Sequence, residues 1–458
     1  MCGFIITNKK IENLNYVNFF LKKRGPDFTN IKKYNKVIAI HNLLSLTGEF
    51  TSQPIEKDNL ICLFNGEIYN YKEFGDYSSD AHCILPSFIK ENENFFRKID
   101  GEYAISIFDK LNNIFYLATD LFATKPLFYS LDKENFGISS YKSCLERLKF
   151  KNIKKVKNNT FLTINLQNKT LVESQIVKLD FSNQNKKNFK DWDIAFENAI
   201  KKRVNSRYKK FIALSSGHDS GAIACAMNKL NIDYGSFTIK KNEDLKIIKK
   251  RVLLNLKSVH KYINLFNFIW IIISTFNLTK AENFTCSLEN QNTKIKKLVS
   301  YKSDKAANGL SEICRRAKRD GYKIMISGQG PDEIFSDYGF NGIKFNSNSS
   351  FGGLFPKDLE SIFPWPNFFR NTMELYLMKE EMVAGAYGIE TRYPFLDFKV
   401  IQEFLWLDVE LKNKIYKAPL SNYLEVNNYP NHKRKIGFNI YEKINFFDKI
   451  IHKIFSYK

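Results

Sequence analysis

Residues 211–220 read Phe211-Ile212-Ala213-Leu214-Ser215-Ser216-Gly217-His218-Asp219-Ser220. An apolar run of strand type enters a loop of small residues. A helix pattern follows, with Ile223, Met227 and Leu230 at helical spacing. Small residues let a backbone approach an anion closely, and the free N–H groups at a helix start bind it. The spacing is not that of a Walker A loop, because GxxxxGK[ST] is absent. A Ser/Gly-rich surface turn would explain the small residues but not Asp219 among them. A strand that feeds a helix in this way belongs to an α/β domain with a parallel sheet.

The same grammar recurs at Ile324-Met325-Ile326-Ser327-Gly328-Gln329-Gly330-Pro331-Asp332-Glu333. A strand again enters a glycine loop, now carrying two acids. Asp219 and Asp332 are therefore expected beyond the carboxyl ends of parallel strands, where open α/β sheets bind ligands. Alone, the second stretch would pass for a Gly-Pro surface turn. The first resembles the SGGxDS pyrophosphate loop of the N-type ATP pyrophosphatases, which use ATP to form acyl-adenylates. Two carboxylates facing a triphosphate suit Mg²⁺, which takes oxygen ligands shared between protein and phosphate.

The chain has 458 residues, enough for two or three domains. With 44% hydrophobic and 15% aromatic residues it is globular and not disordered. The net charge of +22 would fit a polyanion partner. The basic residues form no single long run, however, and no nucleic-acid motif occurs, so no specific nucleic-acid partner is expected. The seven cysteines are odd in number and form no CxxC pair, and no signal peptide is visible. Reduced thiols, a cytoplasmic location and the absence of a zinc site are the expectations. The apolar run at 268–273 is far short of the roughly 20 residues that span a bilayer, so no membrane role is expected.

Before residue 180 the chain reads as short strands between turns: Gly3–Thr7, 37–41, 60–65, 104–109, Ile114–Thr119 and 127–129, with helical stretches near 17–22 and 81–90. The polar segment 182–188 reads as a linker. Beyond it, longer helical periods alternate with short apolar strands, and the chain from about residue 359 looks mainly helical. At the amino end stands Cys2. If the initiator methionine is removed, one residue carries a thiol nucleophile and an α-amine able to act as its base. Asn65 beside the Gly66 N–H could form an oxyanion hole. Read alone, Asn65-Gly66-Glu67 would be a hairpin turn. The segment 388–397, GIETRYPFLD, reads as readily as a buried polar network of Glu390, Arg392 and Asp397. The cluster Lys433-Arg434-Lys435 could hold pyrophosphate or be a solvated loop.

Taken in order, Cys2, RGPD (24–27), NGEIYN (65–70), Ser79-Asp80, KPLFY (125–129), SSGHDS (215–220), SGQGPDE (327–333), GIETRYPFLD and KRKIGF (433–438) resemble the glutamine-dependent asparagine synthetase family. The resemblance covers nearly the whole chain. It implies an α+β Ntn-hydrolase-like αββα sandwich at 1–180, acting as a class II glutaminase. It implies an α/β ATP-pyrophosphatase domain with a helical carboxy-terminal part at 190–458. Ammonia in this family passes through an internal tunnel from the first to the second. Carried over by position, Cys2 attacks the glutamine side-chain amide, Asn65 and Gly66 form the oxyanion hole, and Glu67 and Asp80 bind substrate. Leu214, Ser215, Ser216, Gly217, Asp219, Ser220, Ser327 and Gly328 contact ATP and pyrophosphate. Asp219 and Asp332 hold Mg²⁺, Gln329 binds substrate, and Lys435 stabilises the leaving pyrophosphate. The implied partners are glutamine or ammonia, aspartate or another carboxylate, and ATP; a homodimer is compatible with the family.

The chain departs from the family pattern at functional positions. Leu43 stands where the family carries an arginine for the α-carboxylate of glutamine, and leucine has no carboxylate-binding fork. Weakened glutamine use, or a lysine in that role, is the expectation. Gln329 replaces a glutamate, and Ser216 a glycine whose backbone freedom it must do without. Two alternatives stay open beside an aspartate-amidating ligase: an enzyme of the same kind acting on a sugar acid or modified nucleotide, and a catalytically weak protein that binds ATP or amino acids.

Overall fold

The computed structural model describes residues 2–241, 243–255, 258–264 and 275–432. Contacts divide the chain into two compact units. The first runs up to Lys178 and adds Ala281–Asn283 and Ala384–Glu390; the second holds the other described residues. The two short additions are distant in sequence, and no linear boundary would place them. The segment 182–188 is part of the second unit. There the Lys186 ammonium reaches Asp191 at 2.7 Å and also Glu403, and its N–H donates to the Trp406 carbonyl at 3.0 Å. The run 268–273 lies outside the described residues. No helix among the described residues is long and apolar enough to cross a membrane.

The first unit contains two six-stranded antiparallel sheets. One is ordered Lys154–Lys155, Phe128–Leu131, Phe136–Ser139, Gly3–Thr7, Val37–Leu43, Phe28–Tyr34. The other is ordered Leu171–Gln175, Thr160–Asn165, Ile114–Thr119, Gly101–Asp109, Leu60–Ile68, Ile55–Lys57. Alternation of side chains assigns each face. Phe4, Ile6 and Ala39 of one sheet share a core with Ile61, Leu63, Phe115 and Leu117 of the other. Cys62, Phe64 and Ile105 point the opposite way, onto Ile84, Leu85 and Phe88 of the helix Ile84–Glu91. Leu60–Ile68 and Gly101–Asp109 are covered on both faces, which is why they read as nearly continuous apolar runs instead of alternating ones. On the far side of the first sheet, the helix Phe19–Arg24 packs on Gly3–Thr7 and Val37–Leu43.

The strand Leu60–Ile68 runs straight through Asn65-Gly66-Glu67, so this tripeptide is not a turn. Gly66 lies opposite Tyr103 with φ 142°, and a Cβ there would sit 2.0 Å from the Glu102 carbonyl oxygen. Only glycine fits.

The second unit is built on a five-stranded sheet in the order His260–Ile263, Gly235–Ile239, Lys210–Ala213, Ile324–Ile326, Glu390–Arg392. The first four strands are parallel. From Lys210–Ala213 the chain winds outward to one side, then returns to place Ile324–Ile326 on the other. Adjacent strands that lead in opposite directions open a crevice at their carboxyl ends. Helices His218–Lys229, Lys305–Arg319 and Thr372–Gly385 accompany the sheet. Beyond residue 359 the described chain is mainly helical.

Candidate functional site

In the first unit, Cys2 immediately precedes the strand Gly3–Thr7 and is buried. Its N–H donates to Asn65 Oδ1 at 2.9 Å, and its carbonyl accepts from Arg24 Nε at 2.9 Å. Arg24 is fully buried and also donates to the Tyr141 hydroxyl at 3.1 Å. The Arg-Gly-Pro-Asp stretch thus fixes the backbone of Cys2. Burial pushes the Cys2 thiol up to about 11, so the thiol needs a base. With Asn65 Oδ1 engaged, the amide nitrogen Nδ2 is left buried without a hydrogen-bond partner. An unpaired buried donor costs about 1–3 kcal/mol, and such groups in native proteins call for an explanation.

Asp80 accepts from the Ile68 N–H at 3.1 Å and the Ala81 N–H at 2.9 Å. Burial raises its carboxyl to about 7, the Ile68 N–H opposes this, and the charge of Glu390 adds to it. Glu67 is buried and accepts from the Thr47 hydroxyl. Leu43 is buried at a strand end, paired with Phe28, and its carbonyl accepts the Asp27 N–H at 2.9 Å.

In the second unit the two glycine loops leave neighbouring strands and meet. A Cβ on Gly328 would lie 3.2 Å from the Asp219 Cβ. Between them and the surrounding helices opens a cavity of about 610 Å³. Leu214, Ser215, Gly217, Asp219, Ser220, Gly328, Gln329 and Asp332 line it, as do His218 and Glu243; Ser216 faces away and is buried. Ser215 and Ser220 hydroxyls are 2.8 Å apart. Ser216 is not among the residues with positive φ, so no glycine geometry is required there. The Ser327 hydroxyl accepts the Gln329 N–H at 3.1 Å. Burial, with Lys417 and Arg251 nearby, lowers His218 to about 4, so it is neutral at working pH.

Lys417 organises this cavity. Its ammonium lies 2.8 Å from both oxygens of Asp219 and 3.0 Å from Asp332 Oδ1, which also accepts from the Tyr416 hydroxyl at 2.9 Å. Burial works against the Lys417 charge, but the two carboxylates hold it well above the usual lysine range. The residue is buried and left-handed, with φ 47°, at the start of the helix Ala418–Val426. A lysine in this region is strained, and such strain gathers at functional sites. Further along, Gln329 Nε2 donates to Glu380 Oε1 at 3.3 Å, and burial raises Glu380 to about 7. A carboxylate thus stands beside the position where the sequence has lost one.

Sequence reading missed Lys417, Tyr416 and Glu380. They sit in helices or at their ends without a motif, in a chain with 70 Lys and Arg. Arg392 and Asp397 join the buried network read from the sequence, through Arg203, which was not read. Arg203 Nη1 lies 2.8 Å from Asp397 Oδ2, and Arg392 Nη1 donates to the Arg203 carbonyl at 2.8 Å. Lys435, with the rest of 433–438, lies outside the described residues.

Residues 1–186 match the family model described as a glutamine amidotransferase domain. The chain is 28% identical over 403 residues to a putative asparagine synthetase (glutamine-hydrolyzing) 1 of Methanocaldococcus jannaschii, covering 81% of this chain and 69% of that protein. It is 26% identical over 464 residues to the asparagine synthetase (glutamine-hydrolyzing) of Gallus gallus, covering 88% and 77%. Among solved structures, a glutamine phosphoribosylpyrophosphate amidotransferase from B. subtilis covers 46% of this chain and 60% of its own, at 14% identity and a TM-score of 0.33. That likeness is too slight to argue from. The similarity to glutamine-hydrolysing asparagine synthetases extends over most of the chain, as the ordered motifs imply.

Proposed function

We propose that this chain is an ATP-dependent amide-forming ligase that takes nitrogen from glutamine, with aspartate as the acceptor. The first unit is read as an Ntn-hydrolase-like αββα glutaminase and the second as an ATP pyrophosphatase. The supporting observation is the convergence of Asp219 and Asp332, from two strand ends, within 3.0 Å of one ammonium at a 610 Å³ cavity.

In the first unit the Cys2 thiol gives its proton to its own α-amine once Met1 is removed. The sulfur then attacks the glutamine side-chain carbonyl. Asn65 Nδ2, otherwise buried without a partner, donates to the resulting oxyanion together with the Gly66 N–H. The C–N bond breaks, ammonia leaves, and water hydrolyses the thioester to glutamate. Asp80 holds the substrate's α-ammonium, which a carboxylate can do only when ionised.

In the second unit the acceptor carboxylate attacks the α-phosphorus of ATP. Pyrophosphate departs and an acyl-adenylate forms; ammonia then displaces AMP to give the amide. Ser215, Gly217 and Ser220 lie where they can donate to pyrophosphate. Asp219 and Asp332 offer the hard oxygen donors that Mg²⁺ prefers, and each is partly open to the cavity. Among the described residues no cluster of three or more His, Cys, Asp or Glu could hold a metal, so phosphate oxygens would complete the shell. Bound there, Mg²⁺ would neutralise charge on the pyrophosphate. Lys417 holds both carboxylates in place and adds a fixed positive charge at the leaving group.

The test is pyrophosphate release with Mg-ATP and aspartate, run with glutamine, with ammonium and with neither, and with the product identified by mass spectrometry. Asparagine with glutamine supports the whole proposal, and asparagine with ammonium alone supports the ligase and removes glutamine as its nitrogen source. Release only with a sugar acid or nucleotide carboxylate would move the acceptor, and no release with any carboxylate would refute the ligase reading.

A further inference from the structure

A loop that binds an anion must turn donors toward it, and the carbonyls left facing away then need partners of their own. At the loop 215–217 the shorter of those contacts come from the helix Leu245–Leu253 and the residue two before it, beside the Ser220 hydroxyl, which donates to the Ser215 carbonyl at 3.4 Å. Arg251 Nη1 donates to the Ser215 carbonyl at 2.6 Å and to the Gly217 carbonyl at 2.9 Å, while Nε donates to the Pro430 carbonyl at 2.9 Å. Between those two carbonyls, Glu243 Oε2 accepts both the N–H and the hydroxyl of Ser216 at 2.6 Å each. Arg251 grips from outside the cavity, which it does not line, while Glu243 stands in the cavity wall with Ser215, Gly217, Asp219 and Ser220 and reaches back to the fully buried Ser216.

Gly221 fits the same design. It lies inside the helix His218–Lys229, where glycine costs about 1 kcal/mol relative to alanine. A Cβ on it would sit 2.5 Å from Arg251 Nη2 and 2.7 Å from the guanidinium carbon. The missing side chain is the space the guanidinium occupies. Ser216, the departure from the family glycine, supplies the hydroxyl that doubles its bond to Glu243. Four residues, Ser216, Gly221, Glu243 and Arg251, thus form one device.

We propose that Arg251 is a positioning residue for pyrophosphate binding: from behind the loop, and with Glu243 in the cavity wall, it holds residues 215–217 in their anion-binding conformation, and its buried positive charge favours the bound anion. This rests on the pyrophosphate reading of that loop. Arg251 is 1% exposed and does not itself line the cavity, so it acts through the loop and not on the ligand.

The test is calorimetric titration of the full chain with inorganic pyrophosphate and Mg²⁺, alongside thermal melts. Arg251→Met should raise the pyrophosphate Kd about tenfold or more, since hydrogen bonds from charged donors carry that order of effect. Arg251→Lys should recover part of the loss. A merely structural role would lower the melting temperature or the binding stoichiometry and leave Kd unmoved. A folded Arg251→Met variant with Kd within twofold of wild type would overturn the proposal. Should that variant fail to fold, Gly221→Ala, which displaces the guanidinium without removing it, is judged by the same two outcomes. A wild-type chain that binds no pyrophosphate would refute the loop's assignment itself, and the inference with it.

Discussion

Lys417 Nζ lies 2.8 Å from both carboxylate oxygens of Asp219, and the same ammonium reaches Asp332 at 3.0 Å. One buried cation thereby ties the loops that leave two neighbouring strands. Without it, two carboxylates would share a partly desolvated pocket and repel each other.

Replacing Lys417 with Met should therefore damage both stability and chemistry. Removing one partner of a buried ion pair costs roughly 3–5 kcal/mol. The outer half of that range is too high here, because both acids are about a quarter exposed. We expect a lower melting temperature and a fall of about a hundredfold or more in kcat/KM for pyrophosphate release. Arginine should not rescue, since its planar fork replaces a compact ammonium. Steady-state kinetics with a melt on the same sample checks both.

The two halves should separate by mutation at Cys2. Cys2→Ala should abolish glutamine-dependent amide formation and leave the ammonium-dependent reaction within a few-fold of wild type. Asn65→Ala, which removes the unpartnered Nδ2 donor, should lower glutamine hydrolysis by about 10²-fold while the ammonium-dependent reaction persists. Loss of both reactions in either variant would contradict the separation.

Leu43 predicts a weak grip on glutamine. With a buried leucine in place of a carboxylate-binding arginine, KM for glutamine should be in the millimolar range or above, and ammonium should be the better nitrogen source at equal concentration. A low micromolar KM for glutamine would contradict this.

Glu380 predicts a pH dependence of stability. Its folded carboxyl titrates near 7, raised by burial from the usual carboxylate range. The folded chain thus binds this proton more tightly than the unfolded chain does. Stability is then lost as pH rises from about 4.5 to 7 and the loss is complete above the folded value. Glu380→Gln should be more stable than wild type at pH 8, by on the order of 2 kcal/mol, with the difference shrinking toward pH 5. Denaturant melts at the two pH values check it. A difference that does not change between pH 5 and 8 would contradict it.

How far the fold could be read from residues follows from local chemistry. The strand Ile114–Thr119 was legible to the residue, because an apolar run there is bounded by Asn112-Asn113 and by Asp120. The strand Leu60–Ile68 extends three residues beyond the apolar run 60–65. Asn-Gly looks like a turn, and only its pairing with Tyr103 and the contact at Glu102 show why glycine serves an extended strand. The hairpin of Thr285–Glu289 with Lys296–Ser300 was not read, since its polar, lysine-rich strands carry little apolar signal.

At the candidate site, Cys2, Asn65, Asp219 and Asp332 stood out because each lies in a short motif. Lys417, Arg251 and Glu380 act through tertiary approach alone. A single basic or acidic residue in so charged a chain carries no local signal, and what distinguishes these three is what they touch.

In this mechanism a carboxylate is adenylated in the cavity shared by Asp219 and Asp332. The most direct measurement supplies aspartate labelled with ¹⁸O in its side-chain carboxylate, together with Mg-ATP and ammonium, and weighs the AMP formed. Attack by the carboxylate on the α-phosphorus predicts one ¹⁸O atom in each AMP, with asparagine and pyrophosphate formed in equal amount. Unlabelled AMP, or ADP and phosphate in place of AMP and pyrophosphate, would contradict it.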